Sequence, residues 1–357
     1  MTGTIPPAPC PCPASGQTLP HFHMDFRQMP RLSRRSFGLA LIGTLAAPAT
    51  LRAQSNTEDL RSAALDLPQL HAILVQRGDD LVLAEAPRGR GLDRAANIKS
   101  CSKSLLALIL GTTIARGEVP GLTARLADIA PTLIPSDATA GAGDLTLSDL
   151  VTLRAGLQGT SGGDYGAWVG SGNWVAYALR QPRIAPNGGR MIYSTGTTHV
   201  LGAALSVATG RSLLDLARER LGTPLGIDIP NWTRDPQGYH FGGNEMALTP
   251  KAMLRVALAM RDGGRIDGAQ ALPADWIAAS RTVQTRSPFS GLGYGLGWFI
   301  SPSGWTLARG YGGQIIAAHP DRALAVAITS DPTQPARSEG YFGTLMRLLD
   351  GPILALA

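Results

Sequence analysis

Ser100-Cys101-Ser102-Lys103 is followed at once by Leu105, Leu106, Ile109 and Leu110. These apolar positions recur at helical spacing and predict a helix from about Ser100 to Arg116. Residues three apart share a helix face, so the Ser100 hydroxyl and the Lys103 amine should stand side by side at its N-terminus. The positive end of the helix dipole favours negative charge developing on the serine oxygen. A lysine at its free pKa of about 10.4 is neutral in only about one molecule in 2,500 at pH 7. It can act as a base only where burial or a nearby cation disfavours its charge, and the apolar residues after Lys103 suit such burial. The chain has three lysines, Lys99, Lys103 and Lys251, and uses arginine at its other basic positions. A titratable amine at 103 therefore reads as a chemical requirement. Ser100 is the candidate nucleophile and Lys103 its candidate base, with chance occurrence of Ser-x-x-Lys as the alternative.

Strands are expected on both sides of this helical region. Leu70–Val75 and Leu81–Ala84 flank a Gly78-Asp79-Asp80 turn and read as a β-hairpin. Near the other end, Gly293–Ile300, Thr306–Arg309, Gln314–His319 and Ala323–Thr329 are short apolar runs separated by turn residues. A terminal helix is expected over Glu339–Leu349. Between them lie helical segments at Thr146–Val151, with Ser148 a plausible cap, at His199–Leu221 and at Pro250–Gly263. Strands at both ends with helices between imply an α/β (α+β) fold. Its antiparallel sheet joins the N- and C-terminal strands, helices flank it, and a mainly helical region is inserted. The hydrolase domain is expected over 54–357, with its α/β part at about 54–120 and 265–357 and the insertion at about 121–264.

The formal net charge of +6 gives little reason to expect a polyanionic partner. Much of it comes from Arg27, Arg31, Arg34, Arg35 and Arg52 near the N-terminus, and no basic patch or nucleic-acid motif follows. Of three cysteines, Cys10 and Cys12 precede the expected mature chain and leave Cys101 alone, so no internal disulfide is expected. The six histidines form no cluster with metal-ligand spacing, and neither a metal nor another cofactor is expected. Ser33-Arg34-Arg35-Ser36-Phe37-Gly38-Leu39, then the apolar stretch Leu39–Ala49, reads as a twin-arginine signal peptide within a leader over 1–53. Cleavage after Ala49 and cleavage after Ala53 both fit. The stretch is too short for a stable membrane span. The expected partners are the twin-arginine export machinery and a small ester or amide substrate, and the expected location is the periplasm. An uncleaved amphipathic helix is the alternative.

Two further stretches carry a resemblance. Met191-Ile192-Tyr193-Ser194-Thr195-Gly196 is similar to the Tyr-x-Asn element of class C β-lactamases and related esterases. Arg309-Gly310-Tyr311-Gly312-Gly313-Gln314 lies where that family carries its Lys-Thr-Gly strand. With Ser100–Lys103, in this order and at these separations, the chain resembles the penicillin-binding-protein/class C β-lactamase-like serine hydrolases over residues 70–350. The nearest branch is that of 6-aminohexanoate-dimer hydrolases and carboxylesterases. The resemblance implies that Tyr193 relays protons with Lys103. It also implies an oxyanion site built from the N–H groups of Ser100 and the Gly312, Gly313, Gln314 segment. Thr195 stands where the family has Asn, and Gly310 stands near the place of its Lys, with Arg309 beside it as a possible replacement cation. Those departures favour an esterase or amidase over a β-lactamase or D-Ala peptidase. A catalytically inactive binding relative is a further alternative.

A competing nucleophile motif exists. Gly159-Thr160-Ser161-Gly162-Gly163 fits Gly-x-Ser-x-Gly, but that elbow needs an apolar strand before it and a helix after it. Here Leu150–Leu157 reads as helical and a loop follows. Asp164, Tyr165 and Trp168 in that loop are candidates for the substrate entrance, with plain loop surface an equal reading.

Overall fold

The short apolar runs at the two ends of the chain form a single antiparallel sheet. The computed structural model describes residues 56–357, so the expected leader lies outside the described residues. Eight strands line up in the order Asp80–Glu85, Leu70–Arg77, Leu324–Ser330, Gln314–His319, Thr306–Gly310, Phe299–Ile300, Gly293–Tyr294 and Thr285–Arg286. The N-terminal hairpin joins the C-terminal strands through Leu70–Arg77, which pairs with Leu324–Ser330 from Leu70↔Ser330 to Arg77↔Leu324. The mixed α/β class with a large antiparallel sheet flanked by helices is the fold the chain adopts.

Both faces of the central strands are buried, and their side chains divide by parity. Leu74, Ile316 and Ala327 face one core, with Leu105, Ile109 and Leu110 of the Cys101–Ala115 helix. Ile73, Ile315 and Ile328 face the other, where Phe342 and Leu345 of the Tyr341–Leu348 helix cover them. The Cys101–Ala115 helix is buried on all sides from Cys101 to Thr113, as a central helix must be when it is apolar all round. Burying each such Leu or Ile contributes roughly 1.5–3 kcal/mol, which fixes the backbone carrying Ser100 and Lys103.

Three local expectations change. The apolar run starting at His199 is not one helix. Thr195–Thr209 ends at Gly210, which takes the left-handed conformation (φ 66°), and Ser212 caps a new helix at Leu213. The Leu147–Val151 helix is capped by Thr146 rather than Ser148, because Thr146 and Asp149 form a reciprocal capping box. Gly293–Ile300 is two short strands, since Gly297 turns the chain at φ 80°. Among the described residues, no single helix is long and apolar enough to cross a membrane.

Candidate active site

Ser100 occupies the N-cap position of its helix with α-helical φ and ψ, and its hydroxyl caps nothing. A capping serine would spend that oxygen on a backbone N–H. Here the Lys103 amine donates to it at 3.2 Å. The other two ammonium protons go to Thr195 Oγ1 at 3.1 Å and to the Gly243 carbonyl at 2.8 Å. Lys103 is 3% exposed. Burial lowers its pKa to about 7, with Cys101 pulling weakly the other way. Three acceptors but no carboxylate leave the cation solvated yet electrostatically uncompensated, the setting in which a lysine gives up its proton.

Long-range contacts place the acceptors. Gly243 has φ 86°, and a Cβ there would lie 2.2 Å from Thr198 Oγ1 and 2.9 Å from Lys103 Cγ. Only glycine brings that carbonyl onto the amine. Glu245, two residues further on, meets the residue just before Ser100. Lys99 and Glu245 both have left-handed backbone, with φ of 50° and 63°, and they pair at 3.2 Å. Asn97 holds both, donating to Glu245 at 2.6 Å and accepting from the Lys99 N–H at 2.8 Å. Such strain persists only where surrounding contacts over-determine it. The loop before Ser100 is therefore tied down by its own hydrogen bonds.

Tyr193 closes the group. Its ring centroid is 5.1 Å from Lys103 Nζ. Burial pushes the phenol up to about 12, partly offset by a hydrogen bond with the Ser100 side chain. The phenol thus stays protonated through the neutral range.

The Gly159–Ser161 stretch, weighed above as a rival nucleophile elbow, works as a clamp on this segment. Thr160 Oγ1 accepts from the Gly196 N–H at 2.8 Å, and the Thr160 N–H donates to Ser194 Oγ at 3.2 Å. Ser161 Oγ accepts from the Thr195 N–H at 2.9 Å. Gly159 lies so close that a Cβ would be 2.7 Å from the Tyr193 carbonyl. Neither the preceding strand nor the following long helix of an elbow is present; a 3-10 turn at Gly162–Asp164 follows. The nearest His–Asp pair in this region, His199 and Asp235 at 2.9 Å, is fully buried. The second His199 nitrogen accepts from the Gly242 N–H at 3.2 Å, which leaves none for a serine hydroxyl.

A cavity of about 580 Å³ opens onto Ser100, Tyr193, Thr195 and Ser161. Tyr165 and Asn244 line it and are joined by a 2.9 Å hydrogen bond from the Asn244 amide to the tyrosine oxygen. Phe289, Phe299 and Phe342 supply an apolar wall. Trp168 is not at the entrance: it is fully buried against Trp174, His199 and Phe241. Arg309 lines the cavity with its guanidinium 4.0 Å from the Phe342 ring centroid.

The glycine-rich stretch is placed by its turn. Gly310 and Tyr311 line the cavity, while Gly312, Gly313 and Gln314 do not. A Cβ on Gly312 would lie 2.3 Å from the Asp331 carbonyl, and one on Gly313 would lie 2.5 Å from the Tyr341 ring. Gln314 is buried and spends its amide on the Ser330 backbone. These residues shape a tight turn against 330–332 and present Gly310 and Tyr311 to the site. Gly243, Asn244 and Glu245 carry no recognisable pattern in the sequence, and Thr195 is marked there only by standing where the family has Asn. The Gly242-Gly243 pair was the one local signal of a close backbone approach.

The Beta-lactamase family model matches residues 71–349. The chain belongs to that family. Solved structures share its fold. A Bacillus anthracis protein named as a 6-aminohexanoate-dimer hydrolase aligns with TM-score 0.71 and 17% identity, covering 82% of this chain and 81% of that one. A penicillin-binding protein homologue from Caulobacter crescentus gives 0.69 and 18%, covering 86% and 98%. EstCE1, a hydrolase with promiscuous acyltransferase activity, gives 0.68 and 17%, covering 86% and 99%. At these identities the likeness is one of fold. No curated protein sequence matches significantly. Family membership and the shared fold place the chain among β-lactamase-type proteins and support a hydrolase in general. Among the described residues, no group of three or more His, Cys, Asp or Glu side chains converges on a metal-sized site.

Proposed function

We propose that this protein is an exported serine hydrolase that cleaves a small ester or amide through an acyl-enzyme on Ser100. The observation that carries the reading is the buried Lys103 amine 3.2 Å from the hydroxyl of Ser100, which lines the cavity. With a pKa near 7 from burial, a substantial fraction of Lys103 is neutral at neutral pH. Neutral Lys103 takes the Ser100 proton, directly or through the Tyr193 phenol, as Ser100 Oγ attacks the carbonyl carbon. The developing oxyanion is held by the N–H of Ser100 and that of Tyr311. Among the described residues neither N–H has a backbone or side-chain acceptor. The bond to the leaving group breaks as that group takes up the proton held by Lys103; water then attacks the acyl-enzyme while Lys103 accepts its proton, and that proton returns to Ser100 Oγ as the acid departs.

The Gly312–Gln314 turn supports this arrangement by aiming the end of the Thr306–Gly310 strand at Ser100. Thr195, with its oxygen engaged by Lys103 and Ser161, and Gly310, with no side chain, favour esters and amides over β-lactams. Export by the twin-arginine route rests on Ser33–Leu39 and the apolar run after it. The test is Ser100→Ala against Ser161→Ala on p-nitrophenyl esters, with circular dichroism to verify folding. Ser100→Ala should abolish hydrolysis. Abolition by Ser161→Ala with Ser100→Ala still active would overturn the assignment.

A further inference from the structure

Lys103, Thr195 and Ser161 form a continuous chain of hydrogen bonds that starts at the nucleophile and ends at the cavity. Lys103 Nζ is 3.1 Å from Thr195 Oγ1, which is 2.9 Å from Ser161 Oγ. Ser161 lines the same cavity as Ser100.

The donor inventory fixes the chain at its lysine end. A charged lysine only donates, and a hydroxyl carries one proton and two lone pairs. Thr195 Oγ1 accepts from Lys103 and keeps a second lone pair, so either hydroxyl of the Thr195–Ser161 pair can donate to the other. The relay uses the orientation in which Thr195 donates, where Ser161 Oγ accepts twice from Thr195, once from the hydroxyl and once from the backbone N–H at 2.9 Å. The Ser161 proton is left over. Among the described residues it has no acceptor, and the space in front of it is the cavity.

We propose that Ser161 is the proton donor to the leaving group, fed by Lys103 through Thr195. The inference rests on the acyl-enzyme reading of Ser100. In acylation the Ser100 O–H bond breaks, the Oγ–carbon bond forms, and the proton rests on Lys103. As the bond from the acyl carbon to the leaving atom breaks, Ser161 gives its proton to that atom. Thr195 re-protonates Ser161, and Lys103 re-protonates Thr195 and returns to the neutral amine. Each hydroxyl gives one proton and receives one, and Lys103 is ready for deacylation. Tyr193 touches Ser100 and lies off this chain, so it handles the nucleophile's proton while Ser161 serves the departing atom. The clamp at Gly159–Ser161 fixes the donor, because the Thr195 N–H holds its oxygen. The leaving group is thus expected to be an alkoxide or amine, which needs a proton to depart.

The experiment measures kcat/KM for p-nitrophenyl, phenyl and trifluoroethyl acetate with wild type, Ser161→Ala, Thr195→Val and the double variant. kcat/KM reports steps through acylation, and p-nitrophenolate departs without protonation. In both single variants the trifluoroethyl ester should lose on the order of 10²-fold more than the p-nitrophenyl ester, the usual contribution of a general acid. The double variant should be no steeper than either single one, because both cut the same chain. Melting temperature and fluorophosphonate labelling of Ser100 check that the fold and nucleophile persist. Equal losses on all three esters, or none, with labelling intact would overturn the relay and leave the acyl-enzyme reading standing. Absence of Ser100 labelling in the wild type would instead overturn the acyl-enzyme reading itself.

Discussion

Thr195 Oγ1 lies 3.1 Å from Lys103 Nζ and 2.9 Å from Ser161 Oγ, so this short side chain is fully engaged inside the site. It has no amide to extend toward a substrate. Gly310 adds no cation at the strand end, where its missing Cβ would lie 2.2 Å from the Ile98 carbonyl. The account therefore predicts that short acyl esters or small amides are turned over far better than penicillins or cephalosporins. Steady-state kinetics on both classes is the check. Efficient β-lactam hydrolysis, with kcat/KM in the roughly 10⁴–10⁸ M⁻¹s⁻¹ usual for an enzyme on its own substrate, would contradict it.

Lys103 is expected to act by losing its proton. Burial lowers its pKa to about 7, so its neutral fraction grows as pH rises through that value, and kcat/KM should climb with it and then level off. Lys103→Arg keeps the charge but cannot deprotonate. It should be nearly as inactive as Lys103→Ala, a loss on the order of 10²–10⁴-fold. Tyr193→Phe should slow acylation without unfolding the protein. A Lys103→Arg enzyme with near-normal rates would show that charge alone suffices.

Among the described residues, no acidic side chain pairs with the Arg309 cation. It donates to Ser338 Oγ at 3.3 Å and stacks on Phe342 and Phe299, while burial lowers its pKa to about 10 and leaves it charged at pH 7. Substrates with a carboxylate on the acyl part should gain from it. Arg309→Met should raise KM roughly 10- to 100-fold for a hemisuccinate ester, the scale of a charged hydrogen bond, and change it little for an acetate. Equal changes for both esters would remove that role.

Export is read from sequence alone. Replacing Arg34 and Arg35 by Lys should leave the protein in the cytoplasm, as fractionation and immunoblotting would show. Unchanged export of the double variant would mean that the leader has been misread.

The parts of this molecule legible in the sequence are those set by local spacing. Ser100 and Lys103 meet because they are three residues apart on one helix, and Gln314–His319 stands out as a short apolar run bounded by turn residues. Lys103 owes its depressed pKa to partners that no spacing reveals. Gly243 is far from it along the chain, and Thr195 reaches it from another helix's first turn. The cavity falls at Gly310 and Tyr311 because the Thr306–Gly310 strand runs one residue past its apolar stretch, and that register depends on pairing Gly310 with Gln314. The role of Ser161 was hidden for a related reason. Its local pattern reads as an elbow, while its contacts with Thr195 arise only when the loop folds back onto the helix.

Labelling with a fluorophosphonate probe, followed by mass-spectrometric mapping of the modified peptide, tests the central claim most directly. The reagent forms a covalent bond with an activated serine and needs no knowledge of the substrate. The account predicts one labelled site, Ser100, with labelling that strengthens as pH rises through about 7, where Lys103 becomes neutral. Label on Ser161, or none on the folded protein, would contradict it.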